Sequence, residues 1–127
     1  MIKEIIAVHD EENERPIPTL WRTTFTEIVR SFVAKDYKVA ADINGLISIS
    51  DEISKQIHDY IRDYDEVLME LPEESWQTSV CIWMGSRWDV LIDLWTIGEG
   101  CSDLVLKANV SQVGDNYEFE VEMVYVP

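Results

Sequence analysis

The sequence predicts an α+β fold: two or three N-terminal helices packed on one face of a mostly antiparallel four- to five-stranded sheet. Three observations carry that expectation. Apolar residues recur every three to four positions through the first half of the chain, which is the spacing of one helix face. After "VLMELPEES" the apolar spacing falls to two, the pattern of half-buried strands. Helical segments followed by strand segments, with no alternation between them, describe α+β and not a parallel α/β sheet.

Taken in order, residues 1–12 place Ile2, Ile5, Ile6 and His9 at helical spacing before an acidic run and "RPIP" break the pattern, so a short helix and a loop are expected. Trp21, Phe25, Ile28, Val29, Phe32 and Val33 then form one stripe of an amphipathic helix over 19–35, with Pro18 before it and Asp36 after it. Residues 37–49 read as an irregular connector containing Gly45 and a short strand at "LISI". Ser50 is a favourable N-cap, followed by Asp51 and Glu52 where the helix dipole favours negative charge. Ile53, Ile57, Tyr60, Ile61 and Tyr64 complete the stripe of a helix over 51–64. Four strands are expected at 76–84, 87–95, 103–113 and 116–126.

Turn chemistry sets two registers. Gly114-Asp115 as a two-residue turn pairs Val113 with Asn116. Val110 then faces Phe119, Ala108 faces Val121 and Leu106 faces Met123, with Ser111, Asn109 and Lys107 opposite Glu118, Glu120 and Glu122 on the other face. Gly85-Ser86 pairs Met84 with Arg87. That places Cys81 and Trp83 with Trp88 and Val90 on one face, and Val80 and Ile82 with Asp89, Leu91, Asp93 and Trp95 on the other. Neither face is purely polar, so this hairpin is expected in the middle of the sheet, one face under the helices and the other partly covered.

A chain of 127 residues with 46% apolar and 28% charged residues is read as one globular domain, 1–127, in which 1–18 extend an α+β core over 19–127. The 25 acidic residues outnumber the 10 basic ones for a net charge of −15, spread over both halves. That field repels phosphate backbones and anionic lipid and attracts cationic partners, so direct nucleic-acid and membrane binding are not expected. Two cysteines without CxxC spacing fit a reducing cytoplasm. No apolar run reaches the ~18 residues a membrane helix requires.

No motif spells out a reaction. "MGSRW" lacks the second glycine of a nucleophile elbow, and the chain carries no phosphate loop, dinucleotide fingerprint or metalloprotease motif. His9 and His58 are the only histidines, too few with Cys81 and Cys101 for a zinc site. No catalytic residue, metal or cofactor is assigned. Asp89 and Asp93 lie four apart in one strand, roughly 13 Å between Cα atoms at ~3.3 Å per residue, too far for a paired general acid and base. They are read either as salt-bridged, for instance Asp89 beside Arg87, or as part of an acidic and aromatic docking surface. Glu118, Glu120 and Glu122 form an acidic row that either discourages edge aggregation or steers a cationic protein.

The segments "WRTTFTEIVRSF", "ISDEISKQIHDYIRDY", "SWQTSVCIWMGSRWDVLIDLWT", "SDLVLKANV" and "YEFEVEMVYVP" resemble a family of small, acidic, uncharacterised bacterial proteins over residues 19–127. That resemblance carries no catalytic residue. In size and acidity the chain is also similar to immunity proteins that neutralise toxins in contact-dependent bacterial competition. The expected function is a non-enzymatic immunity protein that binds a cationic toxin domain, a nuclease for example, through Asp89, Asp93, Trp95, Glu118, Glu120 and Glu122. Two alternatives are a small-molecule or enzymatic pocket between the helices and the tryptophan-rich hairpin, and an adaptor that self-associates through a sheet edge.

Overall fold

The computed structural model describes residues 4–127. Helix α1 spans Thr19–Val33, two residues short of the expected end, and buries Trp21, Phe25, Ile28, Val29 and Phe32 of the predicted stripe, whereas Val33 is exposed. Helix α2 spans Asp51–Tyr64 and buries Ile57 and Ile61. Its start is fixed as the sequence requires: the Ser50 side chain accepts a hydrogen bond from the Ile53 amide at 3.1 Å, satisfying one of the amides a helix leaves free at its first turn.

The strands are β1 (Arg15–Pro16), β2 (Leu68–Met69), β3 (Val80–Trp83), β4 (Trp88–Thr96), β5 (Gly100–Val113) and β6 (Asn116–Tyr125). They form one six-stranded sheet in the order β1-β3-β4-β5-β6, with β2 beside the far end of β4. Every pairing between strands is antiparallel. The fold is α+β as predicted, and the two-residue strands β1 and β2 raise the strand number above the expected four to five.

Three local expectations are corrected. Residues 4–10 form no helix, and Ile2 lies outside the described residues. The backbone there is engaged elsewhere: the Ile5 amide donates to the Thr19 hydroxyl at 2.8 Å, the Thr19 amide donates back to the Ile5 carbonyl at 2.9 Å, and Trp88 Nε1 donates to the Val8 carbonyl at 2.9 Å. His9 lies flat on Trp83, ring centroids 4.1 Å apart. The strand expected from residue 76 begins at Val80, because Glu73–Gln77 close into a 3-10 turn that buries Trp76. Ser75 donates to the Asp93 carbonyl and Ser79 accepts from the Asp93 amide, so two serine side chains serve β4 where a longer β3 would have paired. The "LISI" strand reduces to a single parallel bridge between Leu46 and Phe119.

Strand β4 alternates without exception. Trp88, Val90, Ile92, Leu94 and Thr96 are buried beneath the helices, and Asp89, Leu91, Asp93 and Trp95 are half-buried on the other face. The core is the seam between α1 and the sheet, where Trp21 meets Trp88 edge-on at 5.2 Å and Phe25 meets Phe119 at 5.6 Å. The space between the helices and the tryptophan hairpin is therefore filled with side chains, Trp21 being 0% and Trp88 1% exposed.

Both hairpin registers agree with the turn chemistry. Trp83 faces Trp88, and Val113 faces Asn116 through to Ala108 with Val121. Beyond that point a bulge intervenes: Lys107 faces Met123 and Leu106 faces Val124, leaving Glu122 as the extra residue. The expected pairs Lys107 with Glu122 and Leu106 with Met123 are thus shifted by one. The shift brings Val124, fully buried, over the core in place of the half-buried Met123.

The outer edge of β6 is occupied along much of its length. The Phe119 amide donates to the Gly45 carbonyl, and the Ile47 amide donates to the Phe119 carbonyl, both at 2.8 Å. Further along, the Gln56 side chain donates to the Val124 carbonyl at 2.7 Å and accepts from the Val124 amide at 3.2 Å, standing in for a missing strand. Tyr60 accepts from the Val126 amide.

Cys101 lies in β5, which begins at Gly100 and not at the expected residue 103. Cys81 is buried on the helix face, whereas Cys101 is exposed opposite Trp95 on the other face, so the sheet itself separates the two free thiols. Burial pushes the Cys81 thiol up to about 11. Cys101 is also raised, by burial first and then by the carboxylates of Asp93 and Asp103.

Candidate functional site: the helix-free face of the sheet

The face turned away from the helices is built of cross-strand rows set by the registers above. Ser111 stands beside Glu118. Ile82, Asp89, Asn109 and Glu120 form the next row, then Val80, Leu91, Lys107 and Met123, then Asp93, Val105 and Tyr125, and finally Met69, Trp95 and Cys101. Period-two alternation from the β4 start at Trp88 forces Asp89, Asp93 and Trp95 outward together.

All three β4 candidates, with Glu118 and Glu120, therefore share this face, but they do not form one cluster. Asp89 and Glu120 flank the buried Asn109, two strand spacings or about 10 Å apart. Glu118 lies one row further on, Asp93 sits two rows away, and Trp95 closes the opposite end of the face. The Trp95 ring covers Gly100, where an added Cβ would meet it at 3.6 Å. Glu122 occupies the bulge, and its Oε2 is buried with no hydrogen-bond donor among the described residues.

The proposed partnership of Asp89 with Arg87 does not form. Among the described residues none of Asp89, Asp93, Glu118, Glu120 and Glu122 is in an ion pair. The ion pairs among the described residues are Arg15 with Asp10, Arg30 with Glu70, Lys38 with Asp51, Lys55 and Arg62 with Asp59, and Arg62 with Asp63, while His58 hydrogen-bonds Asp59. The paired basic residues thus lie away from this face; Lys107 stands on it but forms no ion pair with its carboxylates, which outnumber it. Lys107 and Tyr125 belong to this face and were not among the sequence candidates. The β5–β6 alternation already put Lys107 on this face, whereas Tyr125 reaches it only through the bulge, which the alternation conceals.

Other concavities are open clefts. One of about 500 Å³ lies where the ends of α1 and α2 meet, lined in part by Phe32, Tyr37, His58 and Arg62. Another of about 730 Å³ lies between α1, residues 42–45 and the β5–β6 turn. Among the described residues no group of three or more His, Cys, Asp or Glu side chains is arranged to hold a metal ion. No described helix is long and apolar enough to cross a membrane.

Residues 29–127 match the family model described as Domain of unknown function (DUF7668). The chain belongs to that family. The DUF7668 match takes in the end of α1, all of α2 and the sheet from β2 to β6, so the whole helix-free face except the β1 margin lies within it. No curated protein and no solved structure gives a significant match to the chain.

Proposed function

We propose that the protein is a non-catalytic binding module that captures a cationic protein on the helix-free face of its sheet, and that it serves in the cytoplasm as an immunity protein against a toxin domain. The observation that carries this reading is the set of five carboxylates on and beside that face without an ion-pair partner among the described residues, in a chain of net charge −15. Uncompensated like charges repel one another in the free protein and are relieved when a basic surface arrives. The field accelerates encounter; Trp95 and the apolar side chains between the carboxylates then exclude water from the contact. A nuclease is a fitting target, because the lysines and arginines that hold its phosphate substrate are the groups such a face would cover.

The test is capture from the native host at low ionic strength, followed by kinetics with a variant carrying D89N, D93N, E118Q, E120Q and E122Q. The reading expects a basic protein that is toxic when expressed alone and harmless when co-expressed with the chain. Its association rate should fall steeply with salt for the wild type and by at least about tenfold in the variant at low salt. A captured protein bound equally fast and tightly by the variant would refute the proposed face.

A further inference from the structure

The helix-free face is not flat. A cleft of about 210 Å³, open like the others but smaller, lies in it, walled by Val80, Cys81 and Ile82 of β3, Leu91 of β4 and Tyr125 of β6, with Asp89, Glu14 and Lys107 also on its lining. Its chemistry follows from the register. Ile82 faces Asp89 and Val80 faces Leu91 across the β3–β4 pair, so hydrocarbon lies directly beside the Asp89 carboxylate; Lys107 faces Leu91 from β5.

The size excludes most occupants. At about 30 Å³ per water the cleft holds roughly seven waters, below the ~300 Å³ at which small-molecule pockets begin and far below what a helix or strand would need. One long side chain fits. An apolar one would strip water from Asp89 and leave it without a hydrogen bond, which is costly. An acidic one would meet two carboxylates, Asp89 and Glu14, against the single cation of Lys107.

We propose that this cleft is a socket for a single arginine side chain of the partner, a deepening that rests on the cationic-partner reading above. The aliphatic stem lies against Val80, Ile82 and Leu91, and the guanidinium reaches Asp89, to which it can donate two parallel hydrogen bonds. Tyr125 supplies an aromatic face for the planar group. Arginine is favoured over lysine because its fork matches a carboxylate and it is the less strongly hydrated cation. Lys107 opposes the incoming charge, so it sets the affinity of the socket from below.

The experiment titrates N-acetyl-arginine methylamide into the ¹⁵N-labelled full chain, with the lysine and citrulline analogues as controls. Shifts should centre on Ile82, Asp89 and Leu91, saturating in the millimolar range for arginine, more weakly for lysine, and not at all for citrulline. D89N should weaken binding by at least about tenfold. K107M should tighten it about threefold, the effect of removing one like charge at about 7 Å in water. E52Q, which removes an exposed negative charge from the first turn of α2 on the other side of the sheet, should leave it unchanged. Retained amide dispersion shows that each variant is folded.

Equal shifts with the lysine analogue spread over every acidic residue, or weaker binding in K107M, would overturn the socket. If the arginine probe seats here and no basic protein is captured, the socket stands and the partner reading fails. If a basic protein is captured and its binding survives D89N, the partner reading stands and the socket fails.

Discussion

Replacing Glu120 by glutamine should make the free protein more stable, and the gain should vanish in salt. Glu120 shares its strand face with Glu118 and lies next to the bulged Glu122, each about 7 Å away along the strand, with Asp89 about 10 Å off across two strand spacings. In water, like charges repel by about 0.6 kcal/mol at 7 Å and about 0.4 kcal/mol at 10 Å. Lys107, diagonal to Glu120 at roughly 7 to 8 Å, offsets one of these repulsions. The net gain is about 1 kcal/mol in 10 mM salt. Screening over a Debye length of a few ångströms reduces it to a few tenths in 0.5 M salt. Urea denaturation at the two ionic strengths measures it directly. A loss of stability, or an equal change at both salt concentrations, would mean that Glu120 is held by a favourable partner, and the account of an uncompensated face would be refuted.

The other expectations concern the scaffold. Q56A removes both hydrogen bonds to Val124 and leaves a buried amide and carbonyl unserved, so it should cost about 1 to 3 kcal/mol in urea unfolding. G45A should cost at least about 2 kcal/mol by the same measurement, because Gly45 has φ +81° and an added Cβ would collide with the Tyr117 carbonyl oxygen. Under native conditions a thiol reagent should label exposed Cys101 well before buried Cys81. Since the Cys81 thiol is raised to about 11 from an ordinary value of 9.0, the unfolded chain loses its proton first. Stability is then fully present below about 9 and falls as pH rises toward about 11. C81A should flatten that fall, and an unchanged slope would assign it to other groups.

Helix α2 was legible to the residue because a capping serine, two first-turn acids and an apolar stripe agree on one start and one face. The hairpin registers were legible for a similar reason: a glycine-containing turn and a period of two admit one pairing that keeps the apolar residues together. The bulge was not, since Glu122-Met123 continues the polar-apolar alternation and an inserted residue shows only against its partner strand. The N-terminal segment misled because Ile5, Ile6 and His9 have helical spacing, yet its backbone is taken by Thr19 and the indole of Trp88, groups distant in sequence. For the site, alternation placed the carboxylates on one face. Whether Arg87 neutralised Asp89 depended on side-chain reach that no sequence pattern encodes.

The fastening of β6 by Gln56 and the Gly45–Ile47 segment bears on how the surface can change. With the backbone of that margin already committed, a visitor there cannot extend the sheet and must recognise the molecule through side chains on its broad surface. Exposed outward positions such as Glu118 lie across the sheet from the helix-covered core, whereas Val105 and Asn109 on the same face are themselves buried. If the proposed face is the one that binds, contact residues and core residues alternate along the same strands, and the first set can change while the second is kept.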